Sequence, residues 1–334
     1  MKHKTRGAAL ATAALVALIA LFGMTGCPNN AGGGGSGGGG TPQAPLVPGG
    51  ASLILSADKL TIKVTVKTAD SSSVTVEGCT ETTLTSDSET ELHAKGTTVI
   101  LKGRIIKLVC SDNRLIALNV QGLSALEELV CSDNWLTALN VQGLNALEVL
   151  LCGSNRLTEL NVQGLSALKS LGCQNNRLAE LNVQGLSNLK KLGCQGNKLT
   201  ELDAQGLNKL ERLDCFNNRL TDLKVHNLSA LESLSCQGNQ LTSLNVIGCT
   251  ALKTLNRSSN KIAGKFAVPA FFNSLPDRLP ADDARCYLYT EKAGVPEGNL
   301  TNFTGSGVAT AFQNAKNRNW KMYKYDANGD PVEI

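Results

Sequence analysis

The chain has 334 residues, is 42% hydrophobic but only 4% aromatic, and carries 33 glycines and a formal charge of +4. Three of the positive charges, Lys2, Lys4 and Arg6, fall in a segment read below as a removable signal, which leaves 4 − 3 = +1 and no electrostatic footprint for nucleic acid. His3, His93 and His226 are the only histidines, so a Ser-His-Asp or Cys-His engine or a histidine-rich metal site lacks its parts, and the expectation is a non-enzyme without a cofactor.

Residues 1–26 read as a signal peptide. Met1–Arg6 is basic, Gly7–Phe22 is apolar without a charged side chain, and small residues follow. Sixteen apolar residues are short for a membrane span. Met24-Thr25-Gly26-Cys27 resembles a bacterial lipobox. That resemblance implies diacylation of Cys27, with palmitate-type chains, and a lipid-anchored address in the cell envelope; an outer-membrane position facing outside is the expectation from the surface-lipoprotein resemblance described below. Two acyl chains suffice for stable anchoring where one does not. Residues 27–50 then hold Cys27 and a tether, with Gly32–Gly35, Gly37–Gly40, Pro42, Pro45 and Pro48. Such a composition cannot bury a core. As flexible chain it spans about 25 Å.

Residues 51–104 are rich in Thr, Val and Ser. Leu60–Val66 alternates at strand period, and Ser73–Val76 and Thr98–Leu101 are further strand candidates, so a small β cap is expected.

Residues 105–262 are periodic. Cys110, Cys131, Cys152, Cys173, Cys194, Cys215 and Cys236 recur every 21 residues, with Arg257 in the eighth place. Three residues after each stands Asn113, Asn134, Asn155, Asn176, Asn197, Asn218, Asn239 or Asn260. The motif LxxLxCxxNxL matches the leucine-rich-repeat pattern. Its Leu and Cys alternate with outward residues, so a coil cannot bury its own leucines and must stack on its neighbours, strands in parallel. Eight strands make a sheet about 38 Å long. The fold expected is a leucine-rich-repeat solenoid of eight 21-residue coils, with a parallel sheet on the concave face, an extended or irregular back, and a cap at each end. The asparagine amide, both donor and acceptor, is expected to bond backbone groups where the chain leaves the strand.

The cysteine ladder does not read as chemistry. Metal sites cluster their ligands at short spacing, and neighbouring parallel strands hold Cβ atoms about 4.8–5 Å apart, beyond the ~3.5–4.5 Å of a disulfide. Buried, reduced thiols acting as small hydrophobes are expected.

Residues 263–334 break the register, since Lys265 stands where a core Leu belongs. Ala270–Leu275 and Gly307–Ala315 read as helices, Cys286–Tyr289 and Trp320–Tyr325 as strands, and Asn328-Gly329 as a hairpin. Most of the aromatics gather here, which suggests an α/β cap with its own core or else a separate binding module. Asp326-x-Asn328-Gly329-Asp330 departs from calcium-loop spacing and reads as a tight turn.

Repeat, lipobox and tail together, with Cys286–Glu291 and Ala315–Trp320 in the tail, resemble the leucine-rich-repeat surface lipoproteins of oral spirochaetes. The resemblance implies adhesion to host cells or other bacteria through a protein ligand, by an ectodomain taken to be monomeric. The alternative is a periplasm-facing scaffolding lipoprotein that binds an envelope component. Variable positions on the strand face are the candidates for recognition: the apolar cluster Val109, Val130, Val149 and Leu151, with Arg212 and Phe216 further along. Packing of that cluster against the N-terminal cap is the competing expectation. A column of Arg114, Trp135, Arg156, Arg177, Lys198, Arg219, Gln240 and Lys261 either grips an acidic partner or is balanced by Glu159, Glu180, Glu201 and Asp222.

Overall fold

The computed structural model describes residues 43–334; the signal, Cys27 and most of the tether lie outside the described residues. Six strands precede the repeats: β1 (Gly50–Leu55), β2 (Thr61–Thr68), β3 (Val74–Glu77), β4 (Thr83–Leu84), β5 (Ser88–His93) and β6 (Thr98–Lys102). The first turn of the solenoid follows as β7 (Ile105–Val109) and, behind it, β8 (Leu115–Asn119). The front strands of the later turns are β9 (Glu128–Val130), β10 (Val149–Leu151), β11 (Ser170–Gly172) and β12 (Lys191–Gly193). After these come β13 (Glu201–Asp203) on the back, β14 (Arg212–Asp214) in front, β15 (Asp222–Lys224) on the back, then β16 (Ser233–Ser235) and β17 (Thr254–Asn256) in front. The C-terminal unit contains α1 (Ala267–Ser274), β18 (Arg285–Thr290), α2 (Ser306–Asn317), β19 (Lys321–Tyr325) and β20 (Pro331–Glu333).

Seven 21-residue turns thus link eight front strands, all parallel and in register, with Leu108, Leu129, Leu150 and Leu171 side by side. These leucines and the seven ladder cysteines are buried, because strand alternation turns them inward and no single coil can cover them. All ten described cysteines are free thiols. Burial pushes the thiols of Cys110, Cys173 and Cys236 up to about 12, so they are inert as nucleophiles.

The asparagine column ties each turn to the one before. Asn155 Oδ1 accepts from Leu136 N at 3.0 Å, while its Nδ2 donates to the carbonyls of Cys131 (3.0 Å) and Cys152 (3.1 Å). This satisfies buried backbone groups that water cannot reach. The bend beside it needs a left-handed residue, found at Asp112, Asp133, Ser154, Asn175, Gly196, Asn217, Gly238 and Ser259. Small polar residues and glycine tolerate that conformation best. On the back, Gln142 Nε2 and Gln163 Nε2 reach the carbonyls of Asn161 (2.7 Å) and Asn182 (2.9 Å) one turn on.

The N-terminal strands divide between two sheets. β4, β3, β6, β1 and β8 form one; β5 and β2 pair with each other and then with β7, extending the front sheet to 13 strands. The first rung plugs into this cap: Asn113 exchanges hydrogen bonds with the backbone of Lys63, at 3.0 and 2.7 Å.

The C-terminal unit differs from expectation in two respects. The register does not end at Asn260. β18 pairs in parallel with β17, setting Cys286 beside Leu255, and β19 sets Met322 beside Cys286. Asn299 supplies a further rung, with Oδ1 on Ile262 N (2.8 Å) and Nδ2 on the carbonyls of Arg257 and Leu288 (both 2.9 Å). Nor does the unit keep a core of its own. Phe271, Phe272, Ala315, Trp320 and Met322 belong to the same buried cluster as the repeats, because α1 and α2 close the open end of the stack. Arg318 fastens them, donating to the carbonyls of Phe272 (2.6 Å) and Leu275 (2.8 Å) at the end of α1.

Candidate partner-binding face

Outward side chains of the front strands form rows across the sheet. One row runs Thr65, Val109, Val130, Leu151, Gly172, Gly193, Asp214, Ser235, Asn256, Tyr287, Tyr323. A second runs Lys107, Glu128, Val149, Ser170, Lys191, Arg212, Ser233, Thr254, Arg285, Lys321. Each strand fixes its own phase by burying Leu and Cys, so these partners cannot slip by one residue without exposing the core.

Val109, Val130, Val149 and Leu151 are half-buried on this face. The N-terminal cap meets Val109 edge to edge, through Thr65 of β2 in the same sheet. It adds to the plane of the sheet beside the cluster. Beyond Leu151 the floor drops to Gly153, Gly172 and Gly193. A Cβ on Gly172 would come 2.9 Å from Leu151 Cδ2, and one on Gly153 would come 2.3 Å from Gln174 Nε2. The leucine and glutamine side chains therefore lie across neighbouring glycines. Further along, Arg212 is exposed with its Nε 2.6 Å from Asp214 Oδ2, and Phe216 is half-buried.

Three aromatics of the C-terminal segment, Tyr287, Tyr323 and Tyr325, also reach this face. Tyr287 lies between Tyr323 and Tyr325, ring centroids 5.2 and 5.3 Å away and nearly parallel. Asn256 Nδ2 donates to Tyr325 Oη at 3.1 Å. These half-buried rings end the row that begins at Thr65. Alternation of Tyr323 and Tyr325 with Lys324 was the available signal, but it does not say which side faces out.

The basic column is organised otherwise than expected. Trp135 is sandwiched between Arg156 (4.8 Å) and Arg114 (5.5 Å). Arg114 also pairs with Asp58 at 2.7 Å. Among the described residues no ion pair joins this column to Glu159, Glu180, Glu201 or Asp222, which lie on the back of the coil. Arg114 and Arg156 are thus held by stacking on Trp135, and Arg114 also by the N-terminal cap.

A family model described as leucine-rich repeats (2 copies) matches residues 187–228. This is a leucine-rich-repeat solenoid. Among solved structures, the solenoid is similar to a functional domain of InlJ from Listeria monocytogenes that includes a cysteine ladder: 25% identity, 59% of this chain and 52% of that one, TM-score 0.41. It is also similar to YopM, a leucine-rich effector protein from Yersinia pestis, with 26% identity, 60% and 54% of the two chains and a TM-score of 0.47. Internalin C2 from Listeria monocytogenes is 23% identical over 50% of this chain and 80% of its own, TM-score 0.40. The chain spans about half the length of the first of these. No curated protein matches it. The solenoid is recognised from its strand order and repeat, independently of these superpositions.

Proposed function

We propose that the chain is a membrane-anchored, protein-binding lipoprotein that mediates adhesion to host cells or other bacteria, with the strand face as its contact surface. Leucine-rich-repeat proteins typically mediate protein–protein interaction. The observation that carries the reading is the in-register front face, where half-buried Val130, Val149 and Leu151 sit together beside a glycine floor. A pre-ordered surface of this kind lets a few apolar anchors ringed by polar groups supply most of the affinity. Anchoring is inferred from the lipobox-like Met24–Cys27 and the apolar run before it.

The test replaces Val130, Val149 and Leu151 together by Ser in the full chain on intact cells. Adhesion is expected to fall by about tenfold or more, as for loss of a hot-spot cluster, with the melting temperature nearly unchanged. Unaltered adhesion refutes the strand-face assignment. Brief protease treatment of the same cells separates the two addresses: surface display predicts loss of the folded domain, and the periplasm-facing scaffold predicts its protection.

A further inference from the structure

A cleft of about 490 Å³ opens where the last turns of the solenoid meet the loops that follow β18 and β19. It is of the size that holds a small organic ligand, and it lies at the opposite end of the sheet from Val130, Val149 and Leu151. Its walls include Asn217, Gln237, Ser259, Lys292 and Tyr325. Most polar side chains of this protein are already committed: the ladder asparagines to backbone, Glu297 to the amides of Ser259, Thr290 and Asn299. In the cleft, beside the committed Asn218, Asn239, Gln240, Thr290 and Tyr325, four polar side chains are left over. The side chains of Asn217, Gln237, Ser259 and Lys292 make no hydrogen bond to any described residue. The Gln237 carboxamide oxygen is also buried, and a buried polar group without a partner is costly.

Two amides and a hydroxyl offer both donors and acceptors, which is what vicinal hydroxyls require. The Tyr325 ring, steadied by Tyr287 and by Asn256, adds a flat apolar wall against which the C–H face of a pyranose can stack. Charge completes the picture. Lys324 nearby is neutralised by Glu291 at 2.8 Å, whereas Lys292 has no ion pair with a described residue. A single free ammonium suits one carboxylate better than a polyphosphate.

From this juxtaposition we infer a second binding site, for an acidic saccharide of one or two rings, its carboxylate on Lys292, its hydroxyls on Asn217, Gln237 and Ser259, and a ring face on Tyr325. The site is independent of the strand-face reading and stands or falls separately from it.

The test uses the full chain in a sugar-free detergent, with saturation-transfer NMR and calorimetric titration. The probes are digalacturonate, glucuronate and N-acetylneuraminate, with digalactose and glucose as neutral counterparts. At least one acidic probe is expected to bind saturably and more tightly than the neutral sugars. Lys292→Met should remove that preference. Gln237→Leu and Tyr325→Leu should each weaken binding about tenfold, the cost of one good contact, while Tyr325→Phe, which keeps the ring, should not. If Tyr325→Leu disturbs folding, Gln237→Leu reads the same site. No saturable binding of any probe overturns the inference, as does binding that survives all three substitutions. Neutral sugars bound as tightly as acidic ones overturn the role of Lys292. A peptide that binds the cleft while no sugar does overturns the ligand class.

Discussion

In the repeated turns a rung asparagine arrives every 21 residues, whereas from Asn260 the chain runs 39 residues, through α1 and β18, before Asn299 supplies the next. The hydrogen bonds are nonetheless of one kind: Oδ1 takes an amide at 3.0 Å from Leu241 in the first case and at 2.8 Å from Ile262 in the second. What repeats is the need of a buried parallel stack for backbone partners, and a unit of different sequence can meet it if it delivers one amide to the right place. The two regions differ inside. The body is lined by a file of small neutral thiols, and the junction with the C-terminal unit holds a guanidinium, Arg257, fully buried against the Phe271 ring at 4.4 Å. None of its three nitrogens has a hydrogen-bond partner among the described residues.

The largest expected effect comes from the file of thiols. Each is held neutral by burial, so its folded value lies above its unfolded one, near 9. The stabilisation is full below pH 9 and is lost as pH climbs toward 12, because the unfolded chain sheds protons that the folded chain keeps. At about 1.4 kcal/mol per thiol and pH unit, Cys110, Cys173 and Cys236 alone cost the body about 4 kcal/mol by pH 10, and the other four ladder thiols, also raised by burial, act in the same direction. Urea unfolding at pH 7.5 and pH 10 should show a collapse of the midpoint. An unchanged midpoint would mean the file is not sealed.

Next in size are the rungs. Asn176→Ala strips partners from Leu157 N and from the carbonyls of Cys152 and Cys173 and should cost about 3 kcal/mol. Asn299→Ala should cost about the same. If it costs under a third as much in denaturant titration, the C-terminal unit is not part of the ladder.

The smallest effect has the opposite sign. Arg257→Met removes a buried cation that nothing neutralises by hydrogen bonding and keeps the packing on Phe271. It should stabilise the protein by about 1–2 kcal/mol in the same titration. Destabilisation would show that the guanidinium is anchored in a way its geometry does not suggest.

Period made the body legible. Twenty-one-residue recurrence separated the Leu, Cys and Asn columns from everything variable, and in a stack a constant column is an inward or a bonding one. It did not mark the column from Asp112 to Ser259 as left-handed, since Asp, Ser, Asn and Gly look like ordinary turn residues until a backbone angle is seen. Asn299 was hidden because the insertion of α1 erased its spacing. Aromatics in a short aperiodic segment carry no phase, so the pattern leaves Tyr287, Tyr323 and Tyr325 open between a cap core and a binding surface; pairing with Asn256 sets which side of the sheet they occupy. For the apolar cluster, the pattern located Val130, Val149 and Leu151 on one face and left open what adjoins them, a matter decided by the pairing of Thr65 with Val109.

A stack of parallel strands has no natural length, and another copy could in principle add to either end and go on adding. Here the outermost strands are both antiparallel returns. β5 places Glu89 and Glu91 along one rim, and β20, only three residues long, opens with Pro331, which has no amide hydrogen to give. Two such rims meeting head to head would bring carboxylates together, and head to tail Pro331 would leave a gap in the ladder. The hairpins that finish the sheet therefore also work against its growth into a fibre.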